Sequence, residues 1–137
     1  MSKRRTGRKL AIQALYQIEI QGKSYSESIL QSFIEDSAYL EETKKWALFL
    51  AKNAWDHHEE ADRLIQEFSI GWALDRVLPL DKSVLRLAFY ELLYTETPVQ
   101  VIIDEAVEFA KRYSTEDSSR YINGILGKCV EIRCLRE

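Results

Sequence analysis

The chain has 137 residues, of which 46% are hydrophobic, five are glycine and two are proline. This composition predicts one domain of ordinary size, with a core and without a long disordered tract. The formal net charge is -3, and the longest apolar run, residues 46–51, is too short to span a bilayer. No targeting segment is evident. Cys129 and Cys134, five positions apart, suit neither a redox pair nor a zinc knuckle, so we expect a reduced, cytoplasmic protein.

The positive charge is concentrated at the start of the chain. Five cations, Lys3, Arg4, Arg5, Arg8 and Lys9, fall within seven consecutive positions, which leaves 14 Lys and Arg against 22 Asp and Glu, or about -8, for residues 10–137. A cation cluster on an acidic body concentrates the attraction for phosphate at one place, so the pattern favours nucleic-acid binding there. The alternative is a solvated terminus without a binding role.

Apolar residues recur with the 3.6-residue period of a helix along nearly the whole chain, and no segment shows the alternation of a strand. The sequence therefore predicts an all-α fold of about seven helices. We expect helices at about 6–21, 26–38, 42–57 and 58–69, then one capped by Asp81, one from Pro98 capped by Thr97, and one from near Ser114.

The first predicted helix carries two apolar rows. The core row is Ala11, Ala14, Leu15 and Ile18, and the second row is Ile12, Tyr16 and Ile20. At 100° per residue the two rows lie too far apart around the helix for a single core to cover both. Either further helices cover the second row, or it is an exposed patch for a partner.

The later helices differ in their pattern. The helix after Asp81 is apolar on almost all sides, which is typical of a central helix. In the last helix Ser114 and Asp117 have the spacing of a capping box. Gly124 and Gly127 lower helix propensity there, and we expect them to allow close approach of a neighbouring helix.

No catalytic motif or cofactor-binding loop is recognisable. His57 and His58 are adjacent, so on a helix they point about 100° apart and fit a solvated polar face better than a metal site. We therefore expect no metal, no cofactor and no enzymatic activity.

One aromatic residue of the last helix lies next to a cation. A ring beside a positive charge can stack on a single-stranded base, so Arg120 and Tyr121 are candidates for RNA binding. Partial burial in the core is the alternative for Tyr121. Asp81 and Asp117 have a simpler explanation as acids at helix starts.

Four segments, RRTGRKLAIQALYQ, LRLAFYEL, IDEAVEFAK and EDSSRYINGIL, in this order and spacing, resemble the NusB family of bacterial transcription antitermination factors. The resemblance covers almost the whole length. It implies a non-enzymatic protein with about seven helices in two three-helix bundles set roughly perpendicular to each other. It also implies a single RNA-binding domain over residues 1–137, with a basic N-terminal arm at 1–9.

The resemblance further implies binding to the single-stranded boxA element of ribosomal RNA operon transcripts, together with the ribosomal protein NusE, in an antitermination complex on RNA polymerase. The RNA-binding residues of the family would correspond here to Lys3, Arg4, Arg5, Arg8, Lys9, Asp117, Arg120 and Tyr121. The NusE-binding residues would correspond to Tyr16, Ile20 and Asp81. Asp104 and Gly127 depart from the family pattern, which commonly has Asn and Asp there.

The sequence leaves two other functions open. The chain could be an RNA-binding module related to the leading domain of ribosomal RNA cytosine methyltransferases, or a helical protein-interaction adaptor whose basic arm is incidental. An exposed row on the first helix could also pair with a second copy, which would give a homodimer in the free state.

Overall fold

The computed structural model describes residues 3–69 and 76–133, and within them the chain is helical without a strand. The prediction of an all-α fold is confirmed. The helices are α1 (Lys3–Gln21), α2 (Ser26–Glu35), α3 (Glu41–Asp56), α4 (His58–Phe68), α5 (Pro79–Tyr94), α6 (Val99–Tyr113) and α7 (Glu116–Arg133), and a short 3-10 turn, Lys23–Tyr25, joins α1 to α2. None of these helices is long and apolar enough to cross a membrane.

Helix α5 lies at the centre of the fold, as its apolar pattern predicts. Every residue from Ser83 to Leu92 is buried, because α5 packs against α1, α3, α4, α6 and α7. The first three helices contact one another, and α5, α6 and α7 contact one another. The core is therefore continuous through α5, which joins the two groups of three helices.

A buried cation ties three helices together at the centre. Arg86 of α5 is fully buried and donates Nε and Nη2 to the carboxylate of Asp62 in α4, at 2.9 and 2.8 Å. Its Nη1 donates to Glu19 of α1. Burial alone would raise the pKa of Glu19, but the hydrogen bond and positive charge of Arg86 outweigh it and hold this pKa below its ordinary value.

Four helix starts differ from the sequence prediction. Helix α6 begins at Val99 with Pro98 at its N-cap, so Thr97 does not cap it. Helix α5 begins at Pro79, so Asp81 lies within the first turn and does not cap the helix. In α7 the hydroxyl of Thr115, and not that of Ser114, accepts the backbone N–H of Ser118 at 2.9 Å. Helix α1 begins at Lys3 and not near Thr6, so the five cations from Lys3 to Lys9 belong to this helix. Residues 1–2 and Cys134 lie outside the described residues.

Close packing of a glycine occurs at a different position from the predicted one. A Cβ added at Gly124 or Gly127 would have no described atom within 4 Å, so the expected close approach of a helix there is wrong. At Gly7 an added Cβ would lie 2.2 Å from Cδ1 of Trp46. Helix α3 therefore packs its indole directly on the backbone of α1, which requires glycine at position 7.

Candidate nucleic-acid and partner interface

The five cations at the start of α1, which we call the basic segment, point in three directions. Arg8 points inward and is only 7% exposed. Its guanidinium donates to both carboxylate oxygens of Glu91 in α5, at 2.8 and 2.9 Å. Arg8 was predicted to contact RNA phosphate directly, but its burial in this ion pair corrects that placement.

Arg5 and Lys9 face α6. Arg5 donates Nε to both oxygens of Glu105, at 3.0 and 3.2 Å. Lys9 places Nζ 5.2 Å from the ring centre of Tyr113. A hydrogen bond between these two side chains raises the pKa of Lys9 and lowers the pKa of the Tyr113 phenol, so each side chain stabilises the charged form of the other.

Lys3 and Arg4 face α3. Lys3 donates to Glu42 at 2.6 Å, although both side chains are largely exposed. Arg4 places its guanidinium carbon 4.3 Å from the ring centre of Trp46, which is a cation–π contact. The basic segment therefore spreads its charge over the adjoining edges of α3 and α6.

These contacts leave Lys3, Arg4, Arg5 and Lys9 accessible to a polyanion. An ion pair at the surface contributes only about 0.2–1 kcal/mol, so a phosphate can replace Glu42 or Glu105 at small cost. The arrangement suits a chain of phosphates passing across the start of α1.

A groove runs beside the basic segment between α1, α5 and α6. Its floor is apolar, with Ile12, Leu87 and Phe109 among its residues, and Arg5, Lys9, Arg112 and Tyr113 lie at its rim. Sequence reasoning missed Arg112 and Tyr113. The run Lys111, Arg112, Tyr113 at the end of α6 places an aromatic residue beside cations and was the available signal.

The start of α7 holds the other predicted RNA residues. Asp117 and Arg120 are exposed and lie 3.6 Å apart as an ion pair within the helix. Tyr121 is half-buried, and its hydroxyl forms a 2.7 Å hydrogen bond with Ser69 at the end of α4. Burial raises the pKa of Tyr121. The ring packs against the core, and base stacking on it stays a prediction.

Tyr113 links the basic segment to the start of α7. It is the last residue of α6, it contacts Lys9, and α7 begins three positions later at Glu116. Phe109, one turn earlier, has its ring centre 4.7 Å from that of Tyr113. Tyr113, which is 39% exposed, therefore lies between the two predicted RNA surfaces along the chain.

The second apolar row of α1 becomes exposed along the helix. Ile12 is 4% exposed because it lies against α5 and α6, Tyr16 is half-buried, and Ile20 is 58% exposed. We call Tyr16 and Ile20 the partner patch. The neighbouring Glu19 binds Lys82 and Arg86 of α5, so the patch lies where α1 meets the start of α5.

Asp81 does not belong to the surface of this patch. It is 4% exposed and accepts hydrogen bonds from the hydroxyls of Ser114 and Ser118, at 3.1 and 2.7 Å. Burial raises the pKa of its carboxyl group, and the two serine hydrogen bonds oppose that shift. The expected exposed position is corrected, because α5 begins three residues earlier than predicted and Asp81 faces the serines at the start of α7. A role of Asp81 in partner binding stays a prediction, exerted through the start of α7.

No three His, Cys, Asp or Glu side chains are placed to share a metal ion within residues 3–69 and 76–133. His57 and His58 each place Nδ1 near a backbone carbonyl, that of Asn53 and that of Trp55. These contacts orient both rings within the junction of α3 and α4.

Comparison with known proteins identifies the family. The sequence profile of the NusB family matches residues 5–131. The transcription antitermination protein NusB of Symbiobacterium thermophilum is 40% identical over 93% of this chain and 88% of its own length. A solved NusB from T. maritima shares 36% identity and a TM-score of 0.83, covering 96% of this chain and 92% of that one.

A second solved structure, of the antitermination factors NusB and NusE in complex with double-stranded RNA, has the same fold. Its matching chain gives a TM-score of 0.83 at 22% identity and covers 96% of this chain and 98% of that one. Both the sequence profile and the relatives extend over nearly the full length. The chain therefore belongs to the NusB family.

Proposed function

We propose that the protein is a non-enzymatic, cytoplasmic transcription antitermination factor. It binds the boxA element of nascent ribosomal RNA operon transcripts together with NusE, and the pair promotes antitermination by RNA polymerase. The whole chain, residues 1–137, acts as one RNA-binding domain. The observation that carries this proposal is the grouping of four accessible cations around the start of α1, in a chain of the NusB family.

The charge distribution supports RNA binding at this end. The rest of the chain carries about -8, so it repels a polyanion and confines the RNA to the basic segment and the adjoining parts of α6 and α7. Arg4, Arg5 and Lys9 supply phosphate contacts there. Tyr113, Arg120 and Tyr121 extend the same surface with two aromatic rings and a further cation.

The experiment measures the affinity for single-stranded boxA RNA at several salt concentrations. Each phosphate that a variant no longer neutralises makes the slope of log affinity against log salt shallower by about 0.7. We expect Arg4→Ala, Arg5→Ala and Lys9→Ala each to weaken binding and flatten the slope. Arg63→Ala, which removes an exposed cation of α4, is the matched control and should change neither.

An unchanged slope in all three variants would overturn the role of the basic segment. It would then favour the adaptor function, in which the cations are incidental. A transcription assay distinguishes antitermination from the other alternative, an RNA-binding module related to ribosomal RNA cytosine methyltransferases. With NusE present, the protein should increase readthrough of a terminator downstream of boxA, and a template with a scrambled boxA should show no increase.

NusE is proposed to bind the partner patch of α1. Ile20 is 58% exposed and contributes little to the core, so Ile20→Glu should weaken NusE binding at least ten-fold with little change in melting temperature. Tyr16→Ala should weaken it as well. Val101→Glu, at an exposed apolar residue of α6, is the control and should bind NusE normally.

The same patch gives a test of self-association. If two copies pair through it in the free state, sedimentation should show a dimer that Ile20→Glu converts to a monomer. Addition of NusE should then also dissociate the dimer, because both partners need the same residues. A dimer that persists in Ile20→Glu would place the contact elsewhere on the protein.

A further inference from the structure

Two aromatic side chains of α3 form an exposed surface next to the basic segment. Trp46 and Phe49 are stacked, with ring centres 6.0 Å apart and planes within 16° of parallel. Phe49 is 51% exposed, and Trp46 is half-buried against the core. We call this pair the aromatic platform. Two neighbouring rings that are open to solvent form a contiguous apolar patch, and such patches can mark a binding site.

The indole of the platform is held firmly by α1. Its pyrrole edge faces the backbone at Gly7, where an added Cβ would lie 2.2 Å from Cδ1 and 3.0 Å from Nε1. The Nε1 donor is buried without a hydrogen-bond partner among the described residues, which carries a cost in stability. Trp46 therefore has little freedom to move, and it gives Phe49 a rigid ring to stack on.

Cations adjoin the platform from two helices. Arg4 of the basic segment lies over Trp46 at 4.3 Å. Lys45 is exposed and precedes Phe49 by four residues, so both lie on the same stripe of α3. Lys3 reaches α3 as well, through Glu42. Positive charge beside an open aromatic face complements a nucleotide, whose base stacks while its phosphate meets the cation.

We propose that the aromatic platform is a stacking site for an unpaired base of single-stranded RNA. Phe49 carries the base, Trp46 fixes the orientation of Phe49, and Arg4 and Lys45 meet the flanking phosphates. The RNA path therefore continues from the start of α1 onto α3, on the opposite side of the basic segment from α6. The inference rests on the proposed RNA-binding function and adds a surface that the sequence prediction did not contain.

Charge favours RNA over a protein partner at this site. Arg4 connects the platform directly to the proposed phosphate-binding surface, so one strand can contact both without a gap. A protein partner of apolar character would instead have to cover Arg4 and Lys45 and remove their hydration, which is costly without acidic counterparts. The platform is also separate from the partner patch, which lies at the other end of α1.

The test uses three substitutions of Phe49 in the full chain and single-stranded boxA RNA extended by several nucleotides at each end. Phe49→Ala removes the ring, Phe49→Leu keeps apolar bulk without a ring, and Phe49→Tyr keeps the ring. We expect Ala and Leu to weaken binding about five-fold or more, and Tyr to bind like the wild type. The salt slope should stay unchanged in all three, because phenylalanine contacts no phosphate by charge.

A spectroscopic measurement follows the same interaction. A base stacked on Phe49 lies near Trp46, so RNA binding should quench the fluorescence of this tryptophan. The quenching should be smaller in Trp46→Phe and in Phe49→Ala at saturating RNA. Melting temperatures of the Phe49 variants close to that of the wild type establish that the effect concerns binding and not folding.

The outcomes separate this inference from the proposed function. A wild-type protein that does not bind boxA RNA would contradict the proposed function. Wild-type binding with equal affinity for Phe49→Ala would overturn the platform alone. Full RNA affinity in Phe49→Leu would also overturn the platform, since an apolar contact without stacking would then suffice. A loss of NusE binding in Phe49→Ala with RNA binding intact would overturn it as well.

Discussion

Arg8 and Glu91 form a buried ion pair between α1 and α5, although they are 83 positions apart in the chain. Their side chains are 9% and 2% exposed, and Nη2 of Arg8 lies 2.8 Å from Oε1 of Glu91. Thr97 places its hydroxyl 3.5 Å from the same oxygen. Arg8 therefore has a structural role, although the sequence does not distinguish it from the other cations of the basic segment, which are more accessible to solvent.

Arg8→Ala should destabilise the fold more than it affects RNA binding. Removal of one partner of a buried ion pair costs about 3–5 kcal/mol, so we expect a marked fall in the free energy of unfolding measured with urea. Below the unfolding transition, where Arg8→Ala is still folded, its slope of log affinity for boxA RNA against log salt should match that of the wild type. Arg5→Ala should give the opposite pattern, and a shallower slope in Arg8→Ala would contradict this assignment.

Glu105→Gln should increase RNA affinity. Glu105 holds Arg5 at 3.0 Å, and release of a surface pair of about 0.2–1 kcal/mol corresponds to a gain of up to about five-fold. Asp104→Asn is the matched control, because it removes the same charge from the preceding position of α6, where the carboxylate accepts a hydrogen bond from Gln100. Equal gains in the two variants would mean that general charge, and not release of Arg5, determines the affinity.

Gly7→Ala should lower stability because the new methyl group collides with Trp46. Overpacking of this kind costs about 1–3 kcal/mol, and the change should also shift the fluorescence of Trp46. Gly124→Ala is the matched control, since it adds a methyl group to a helix in open space and should stabilise by about 0.5–1 kcal/mol. A neutral Gly7→Ala would show that α3 can move away from α1 at no cost.

Glu19→Gln tests the buried cluster around Arg86. At neutral pH the loss of a charged hydrogen bond to Arg86 should cost about 1–3 kcal/mol. The pKa of Glu19 is lowered in the folded state from its ordinary value of 4.5. Its stabilising effect is therefore complete above about pH 4.5 and is lost as the pH falls through the folded pKa.

The measurement for Glu19→Gln is the free energy of unfolding of the wild type and the variant at several pH values. The difference between them should be largest near pH 7 and should narrow below about pH 4.5. Glu116→Gln, at an exposed residue paired with Arg120, should differ little from the wild type at any pH. If the difference in the free energy of unfolding stays constant below about pH 4.5, Glu19 is not the titrating group.

Much of the fold follows from local patterns that the sequence displays. The period of the apolar residues locates the helices, and the lack of a polar face identifies α5 as the central one, because these features depend on neighbours within a few turns. Ile20 is exposed as its offset from the core row indicates. Ile12 shares that row but is buried, since it lies in the groove between α1, α5 and α6.

Contacts between segments that are distant in the chain could not be predicted from the sequence. Arg8 is one of five similar cations, and only the position of Glu91 distinguishes it. Asp81 is of a residue type that often caps helices, and its burial depends on two serines that lie 33 and 37 positions away. Gly7 gives no local signal, because its need for a bare backbone comes from Trp46 in another helix. Each of these depends on which helices meet, which periodicity does not encode.

The fixed length of α1 has a consequence for assembly. At 1.5 Å per residue, Arg5 and Ile20 are about 22 Å apart along one rod, and Arg86 and Glu91 fasten that rod to α5 at both ends. Two occupants bound at its extremities are therefore held at a constant spacing and do not crowd each other. We expect that both can bind at the same time without a rearrangement of α1, and in either order.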